Sequence, residues 1–499
     1  MRDKLTAGML DHQVQALDFI LTHPKAAIWV AIGGAKTRVA LAALKLLRPP
    51  GHTLIIAPLQ VSANSWPSEL AKWGITANLR SFVTVLDPAS KRFGKRLAPQ
   101  ARDAEFDAAF DPSTPPAVWL ASRDQVVALV GRWQQAKRSS PWPFPTVVVD
   151  EAQDFKNPRA ERVKALFKVR DQISRMIQLT GSPTPQNIAD LWSQVFLLDG
   201  GAALGRRFTA FRDRFFYVAQ TIPDGHGGRR PVKWEPVPGA LGQIHRACAH
   251  LAMSVDVPVS AKPPVVRRRF VSIPPAARGF YEKLKRDLVV ELAGEVITAD
   301  NAAILRARLL QLASGTCYPI GSDPSSRERD YISVHDAKIE ALAEIVKQAD
   351  TPVLVAYRFR SDSARIPERL AGAGIRAEVF DGSPAMVDRW NARSIPVMLV
   401  QPASSGRGLN LQQGGRHLVW FTLPDSSEHF SQTNGRLARL GQPGQVEITL
   451  LVCQDTIDMA LHPRLKTKLA SQGELLAAAV AYTQAQINSV AGASNKRRR

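Results

Sequence analysis

Ala31-Ile32-Gly33-Gly34-Ala35-Lys36-Thr37 stands between a short apolar run at 27–31 and an apolar-periodic stretch at 39–47. Strand, glycine turn, Lys-Thr and helix in that order make a phosphate-binding loop. Backbone N–H groups at the helix N-terminus cradle phosphate oxygens, Lys36 neutralises them and the Thr37 hydroxyl suits Mg²⁺. Ala35 occupies the place where the pattern has glycine, and by itself Gly-Gly before Ala-Lys reads equally well as a turn.

A second stretch decides between those readings. Thr146-Val147-Val148-Val149 is a β-branched run that ends directly in Asp150-Glu151-Ala152-Gln153. In a parallel α/β sheet this sets two adjacent carboxylates at the C-terminal edge, where such sheets bind ligands. Asp150 can then hold Mg²⁺ while Glu151 orients and deprotonates an attacking water. An acidic loop cap gives the same letters, but seldom downstream of a Lys-Thr loop.

Outward from these motifs, short apolar runs alternate with longer helical patterns, the mark of parallel sheets with crossover helices. Strands are expected at 27–31, 53–57, 117–121, 146–149 and 176–179, and again at 353–357, 377–380, 397–400, 417–421 and 446–452. Between the two series lies an Arg-, Pro- and Gly-rich region with one helical stretch, 276–295. The expected fold class is α/β, with two tandem parallel-sheet lobes over 1–198 and 336–482, an inter-lobe insertion and linker over 199–335, and a flexible basic tail over 483–499. A chain of 499 residues has room for two cores of this kind.

Composition narrows the class of function. With 45% hydrophobic and 22% charged residues, and no apolar run near the roughly 18 residues of a membrane span, a membrane role is not expected. Met1-Arg2-Asp3-Lys4-Leu5 lacks a secretory signal, and Cys248, Cys317 and Cys453 are scattered without zinc-type spacing, which fits a reducing cytoplasm. The formal charge of +21 implies a field that attracts polyanions, and nucleic acid is the usual one. Basic residues cluster at Arg206-Arg207 with Arg212 and Arg214, at Arg229-Arg230, at Arg267-Arg268-Arg269 and at Lys496-Arg497-Arg498-Arg499.

The order of motifs resembles the Snf-two branch of the superfamily-two helicase-like ATPases along nearly the whole chain. Gly8-Met9-Leu10-Asp11-His12-Gln13 is similar to the family's N-terminal glutamine segment, which implies that Gln13 reads adenine. Ala57-Pro58 with Ser65-Trp66, Glu69 and Lys72-Trp73 resembles a motif that touches the DNA backbone. Asp150-Glu151-Ala152-Gln153 with Lys156-Asn157 resembles the acidic box. Leu179-Thr180-Gly181-Ser182-Pro183, followed by Gln186-Asn187 and Asp190-Leu191-Trp192, resembles the segment that couples ATP state to DNA grip.

In the second lobe Asp381-Gly382-Ser383 and the glycine-rich Ser404-Ser405-Gly406-Arg407-Gly408-Leu409-Asn410-Leu411-Gln412 are similar to family motifs, and Gln432-Thr433-Asn434-Gly435-Arg436-Leu437-Ala438-Arg439-Leu440-Gly441-Gln442 resembles the closing one. The resemblance implies two RecA-like lobes and ATP with Mg²⁺ as cofactors. It places Gly33, Gly34, Ala35, Lys36, Thr37, Arg38, Gly408 and Gln432 around the nucleotide. Arg436 and Arg439 become arginine fingers, groups that contribute about 10³–10⁵ in rate in related NTPases. The implied partner is DNA, double-stranded and read without sequence preference; no protein partner is indicated. The compact length and phrases such as Leu418-Val419-Trp420-Phe421 resemble phage or prophage members, in a bacterial or phage-infected cell. Strand-separating helicases and motor subunits of restriction or defence complexes share these motifs, and a DNA-binding protein that has lost ATP turnover remains open through Ala35. His335-Asp336 ahead of Lys338 reads as a helix cap rather than acid–base chemistry.

Overall fold

The computed structural model describes residues 2–463, 465 and 467, apart from 31–33, 75–77, 88, 91, 93, 136–140, 182, 185–186, 224–227, 256–261, 294–298, 319–330, 403–408 and 440; for 4, 255, 286–293, 299–303 and 305 it describes the backbone alone. The chain divides into two units, Met1–Pro258 and Val259–Leu469.

In the first unit the strands run β1 (Lys25–Val30), β2 (Thr53–Ala57), β3 (Leu79–Ser81), β4 (Val118–Ser122), β5 (Thr146–Asp150), β6 (Arg175–Thr180), β7 (Phe216–Pro223), β8 (Arg229–Pro236) and β9 (Ala252–Val255). Seven of them form one sheet in the order β3-β4-β2-β5-β6-β1-β9, every pair parallel. A parallel sheet needs cover on both faces, and the alternation of side chains supplies it. Trp29, Leu54, Ile56, Trp119, Val147 and Val149 face one apolar cluster, while Ile28, Val30, Ile55, Leu120, Val148 and Leu179 face another. Helix Lys36–Leu47 seals the second cluster with Val39, Ala40, Leu41, Ala43 and Leu44. Among the described residues β7 and β8 pair only with each other, as an antiparallel ribbon.

The second unit repeats the plan. Its strands are β10 (Val265–Val271), β11 (Thr316–Cys317), β12 (Ile332–Ser333), β13 (Val353–Ala356), β14 (Ala377–Val379), β15 (Val397–Val400), β16 (His417–Trp420) and β17 (Glu447–Cys453). Six form a parallel sheet in the order β10-β17-β16-β13-β15-β14. Val353, Val355, Leu399, Val419 and Phe421 face one cluster, and Leu354, Ala356, Met398, Leu418 and Trp420 the other. At the turn into β16 the chain passes so close to its neighbours that a Cβ on Gly414 would meet Trp390 Nε1 at 2.3 Å, and one on Gly415 would meet the Pro352 carbonyl oxygen at 2.2 Å. Only glycine fits there.

All ten strands expected from the sequence are present, with ends shifted by no more than two residues. The region 199–335 does not stand as a separate body: β9 completes the first sheet and β10 joins the second. β10 escapes a hydrophobicity reading because Val265-Val266-Arg267-Arg268-Arg269-Phe270-Val271 is an edge strand whose arginines are all exposed. The expected helix at 276–295 is Pro275–Ala293, and a second helix, Ala299–Ala313, pairs with it. The tail 483–499 lies outside the described residues. Among the described residues no helix is long and apolar enough to cross a membrane.

Candidate nucleotide site

Parallel alignment brings the C-terminal ends of β1, β5 and β6 to one edge of the first sheet, so the loop after β1, the acidic box after β5 and Thr180 at the end of β6 share that edge. Gly33 lies outside the described residues; Gly34 and Ala35 lead into helix Lys36–Leu47. Ala35 holds φ 54° and ψ 40°, the left-handed region, at the position before the helix where its Cβ is penalised. Lys36 Nζ donates to the carbonyl oxygen of Val30, the last residue of β1, at 2.9 Å. Thr37 lies in the first turn of the helix.

Asp150 is the best-defined member of the site. Oδ1 accepts from the Glu151 backbone N–H at 3.0 Å and Oδ2 from the Trp66 indole Nε1 at 3.0 Å. Burial, and then the Glu151 carboxylate, push its pKa up to about 6 against the opposing pull of the Trp66 bond and the Lys36 charge. A buried carboxylate in that condition gains from a neighbouring cation. Carboxylate and hydroxyl oxygens, from Asp150 and Thr37, are the donor types that Mg²⁺ takes, so these residues fit the ion.

Glu151 also sits in the left-handed region, at φ 54°. Non-glycine residues held there in a site store strain of order 1–3 kcal/mol. Its Oε2 accepts from Gln153 Nε2 at 2.7 Å, and Gln153 Oε1 accepts from the Thr180 hydroxyl at 2.5 Å. A hydrogen-bonded relay thus joins the acidic box to the segment after β6. Sequence reading quoted Gln153, Thr180 and Trp66 as motif letters without these roles, because the partners lie 27 and 84 positions apart.

Gln13 is buried, and its Oε1 accepts from the Leu10 backbone N–H at 3.1 Å. His12 Nε2 lies 3.4 Å from the Gly34 carbonyl oxygen. Arg38 donates to the carbonyl oxygens of Gly8 at 2.6 Å and Ala7 at 2.8 Å and lies 4.9 Å over the Trp73 ring, fastening the N-terminal segment to the loop helix.

In the second unit, helix Ser427–Leu437 is capped by the Ser426 hydroxyl, which accepts from the His429 N–H. Gln432 Nε2 donates to Glu428 Oε1 at 3.0 Å. Arg436, 8% exposed, donates to the Leu409 carbonyl oxygen at 3.0 Å, and Arg439 donates to Asn410 Oδ1. Both cations therefore meet Leu409 and Asn410 of the glycine-rich stretch, whose members up to Gly408 lie outside the described residues. Asp336 takes the cap position of helix Ala337–Gln348, but its carboxylate pairs with Arg365 at 2.6 Å and Arg369 at 2.9 Å and makes no side-chain cap bond. Lys338, also buried, pairs with Asp458 at 2.6 Å and donates to the Phe421 carbonyl oxygen. That part of the lobe is structural.

Two parallel-sheet lobes, with a phosphate loop and an acidic box on one edge of the first, define a helicase-like ATPase core. The model of the SNF2-related domain matches residues 14–217. A protein of Acyrthosiphon pisum secondary endosymbiont phage 1, described as putative protein p41, is 32% identical over 484 residues, 94% of this chain and 97% of that one. A Bacillus subtilis protein described as the putative ATP-dependent helicase/translocase YwqA is 20% identical over 347 residues; the match takes in 66% of this chain and 35% of YwqA. The solved SWI2/SNF2 ATPase core of Sulfolobus solfataricus in complex with dsDNA aligns over 96% of this chain and 95% of its own at a TM-score of 0.40 and 16% identity. This chain belongs to the SNF2-related family, as a phage-type member.

Proposed function

We propose that the chain is a DNA-dependent ATPase that moves along double-stranded DNA without sequence preference. The observation that carries the reading is the buried Asp150 carboxylate, fixed by Trp66 and Glu151 N–H and within the field of Lys36. A carboxylate and a lysine on a parallel-sheet edge are what phosphoryl transfer needs, because its catalysis is positioning plus charge stabilisation.

In this reading backbone N–H groups of the loop and Lys36 bind the β- and γ-phosphates, and Gln13 reads the adenine. Mg²⁺ held by Asp150 and Thr37 supplies neutralisation of phosphate charge. Glu151, oriented by Gln153, accepts a proton from the attacking water. Arg436 and Arg439 stabilise charge on the γ-phosphate, and Gly408 and Gln432 are further nucleotide contacts, the roles that their family motifs imply. The Gln153–Thr180 relay passes the state of Glu151 to the segment after β6. The net charge of +21 supports a grip on phosphates that is salt-sensitive and indifferent to base sequence.

The test is ATP hydrolysis measured without DNA and with single-stranded, double-stranded and forked DNA, beside triplex-displacement and unwinding assays. Stimulation by duplex with triplex displacement and no unwinding is expected. Unwinding would make the chain a strand-separating helicase. Absence of DNA-stimulated hydrolysis would leave a DNA-binding protein.

A further inference from the structure

The ribbon of β7 and β8 is a feature of the first unit that the nucleotide site does not use. β7 begins at Phe216 and the family-model match ends at residue 217, so all of the ribbon but its first two residues lies beyond the part of the chain that pattern describes. Its base is anchored: Phe215 and Phe216 are buried in the core, Trp234 and Val237 pack against it, and the Val237 N–H donates to the Phe215 carbonyl oxygen at 2.9 Å. Arg212 lies 3.9 Å over the Trp234 ring, bracing the root from the preceding helix, Phe208–Phe215.

Beyond that root both faces are open. Residues 217–220 and 229–233 are exposed in succession, among them Tyr217 at 48%, Val218 at 40% and Val232 at 46%. Irregular register at Val218/Gln220 and at Gln220/Thr221 adds twist to the pair. A lone two-stranded ribbon is marginal in water, and one that keeps aromatic and β-branched side chains on open faces calls for a partner.

Charge identifies the partner. β7 carries no ionisable residue of either sign except Tyr217, while β8 carries Arg229, Arg230, Lys233 and Glu235. The one carboxylate on these strands is already engaged, by Lys233 at 2.7 Å and the Tyr217 hydroxyl at 2.9 Å. Arg229 leans on the Thr221 hydroxyl, a neutral group, and Arg230 is exposed. The two strands therefore form a cationic blade without uncommitted acid. A major groove is about 12 Å wide and admits a two-stranded ribbon. Guanidinium groups on one strand of it meet the flanking phosphates, while the apolar side chains make contacts that require no base sequence.

We propose that the ribbon of β7 and β8 is a duplex-DNA contact of this chain, seated in a groove with Arg229 and Arg230 on the phosphate backbone. The proposal rests on the reading of the chain as a DNA-dependent motor and deepens it by naming a grip outside the family-model match.

The test is fluorescence anisotropy with a short mixed-sequence duplex, titrated at several salt concentrations. The proteins are the wild-type chain, the double variant Arg229→Ser/Arg230→Ser, and the charge-preserving Arg229→Lys/Arg230→Lys. The double serine variant should bind at least about tenfold more weakly at moderate salt, with a log–log salt slope shallower by about two, one unit for each phosphate no longer neutralised. The lysine variant should keep the wild-type slope, which damage to the fold would not allow. Coincident salt lines for wild type and double serine variant would overturn the proposal and leave an acidic protein surface as the ribbon's partner. Failure of the wild-type chain to bind duplex at all would overturn the motor reading as well.

Discussion

The indole Nε1 of Trp66 donates to Oδ2 of Asp150 at 3.0 Å, so a tryptophan from the segment after β2 sets the direction of the carboxylate after β5. Trp66 is fully buried, and phenylalanine would keep most of its packing. Trp66→Phe leaves a buried carboxylate oxygen without its donor, a loss of about 1–3 kcal/mol. The expected result is a higher Mg²⁺ concentration for half-maximal ATP hydrolysis, with metal-free nucleotide binding unchanged. An unaltered Mg²⁺ titration would detach Trp66 from the site.

Glu151→Gln should lower turnover by at least about a hundredfold while ATP still binds. Arg439→Ala should depress kcat more than nucleotide affinity, since its contact is assigned to the transition-state arrangement. Single-turnover hydrolysis and nucleotide titrations separate the two effects. Wild-type hydrolysis by Glu151→Gln would remove Glu151 as the base, and a purely affinity-related defect would move Arg439 away from the reacting phosphate.

Ala35→Gly relieves a residue held at φ 54°. The left-handed region disfavours a Cβ by about 1–2 kcal/mol, so the variant should gain about three- to thirtyfold in turnover, nucleotide affinity or both. Steady-state kinetics read this directly. No gain in either would show that the loop carries the alanine without functional strain.

Asp362 gives the pH dependence of stability. Burial raises its pKa to about 6, although the Phe359 and Arg358 N–H groups and the Lys338 charge pull the other way. A folded-state pKa above the unfolded value favours the fold below the unfolded pKa, and that contribution is lost as pH rises through about 6. Asp362→Asn keeps an acceptor for Phe359 N–H and has no charge to bury. Relative to wild type, the variant should therefore gain roughly 1–2 kcal/mol between pH 5 and pH 7.5 in denaturant melts. A difference that stays constant with pH would contradict the assignment.

Gly414→Ala drives a methyl into Trp390, which is fully buried and donates to the Leu411 carbonyl oxygen at 2.9 Å. Overpacking of this kind destabilises by about 1–3 kcal/mol, here in the second unit. Chemical denaturation checks it; a change within about 0.5 kcal/mol, the range of an ordinary surface substitution, would mean that Trp390 yields easily.

The sequence was legible where apolar runs were short, buried and followed by chemistry. Val147-Val148-Val149-Asp150 and Ala26-Ala27-Ile28-Trp29-Val30 are buried on both faces, so local composition already carries the strand. It was opaque where a strand owes its existence to a distant neighbour. β9, Ala252-Met253-Ser254-Val255, is too short to read alone and forms because β1 offers it an edge; β10 hides behind three arginines. The candidate site shows the same division. Lys36, Asp150 and Glu151 could be named from spacing, but the bonds from Trp66 to Asp150 and from Thr180 to Gln153 exist only once the strands are laid side by side.

β1 lies between β6 and β9, which gives synthesis of the chain a definite order. Ala26, Ile28 and Val30 leave the ribosome early, yet one of their two neighbouring strands follows only at residues 252–255. At about 5–20 residues per second the wait is on the order of ten to forty-five seconds. Until then β1 is an open apolar edge, the type of surface that recruits other nascent strands. The shortest fragment of the first unit that can be expressed without that edge ends after Val255, and fragments cut at the end of helix Leu191–Asp199 should collect in inclusion bodies.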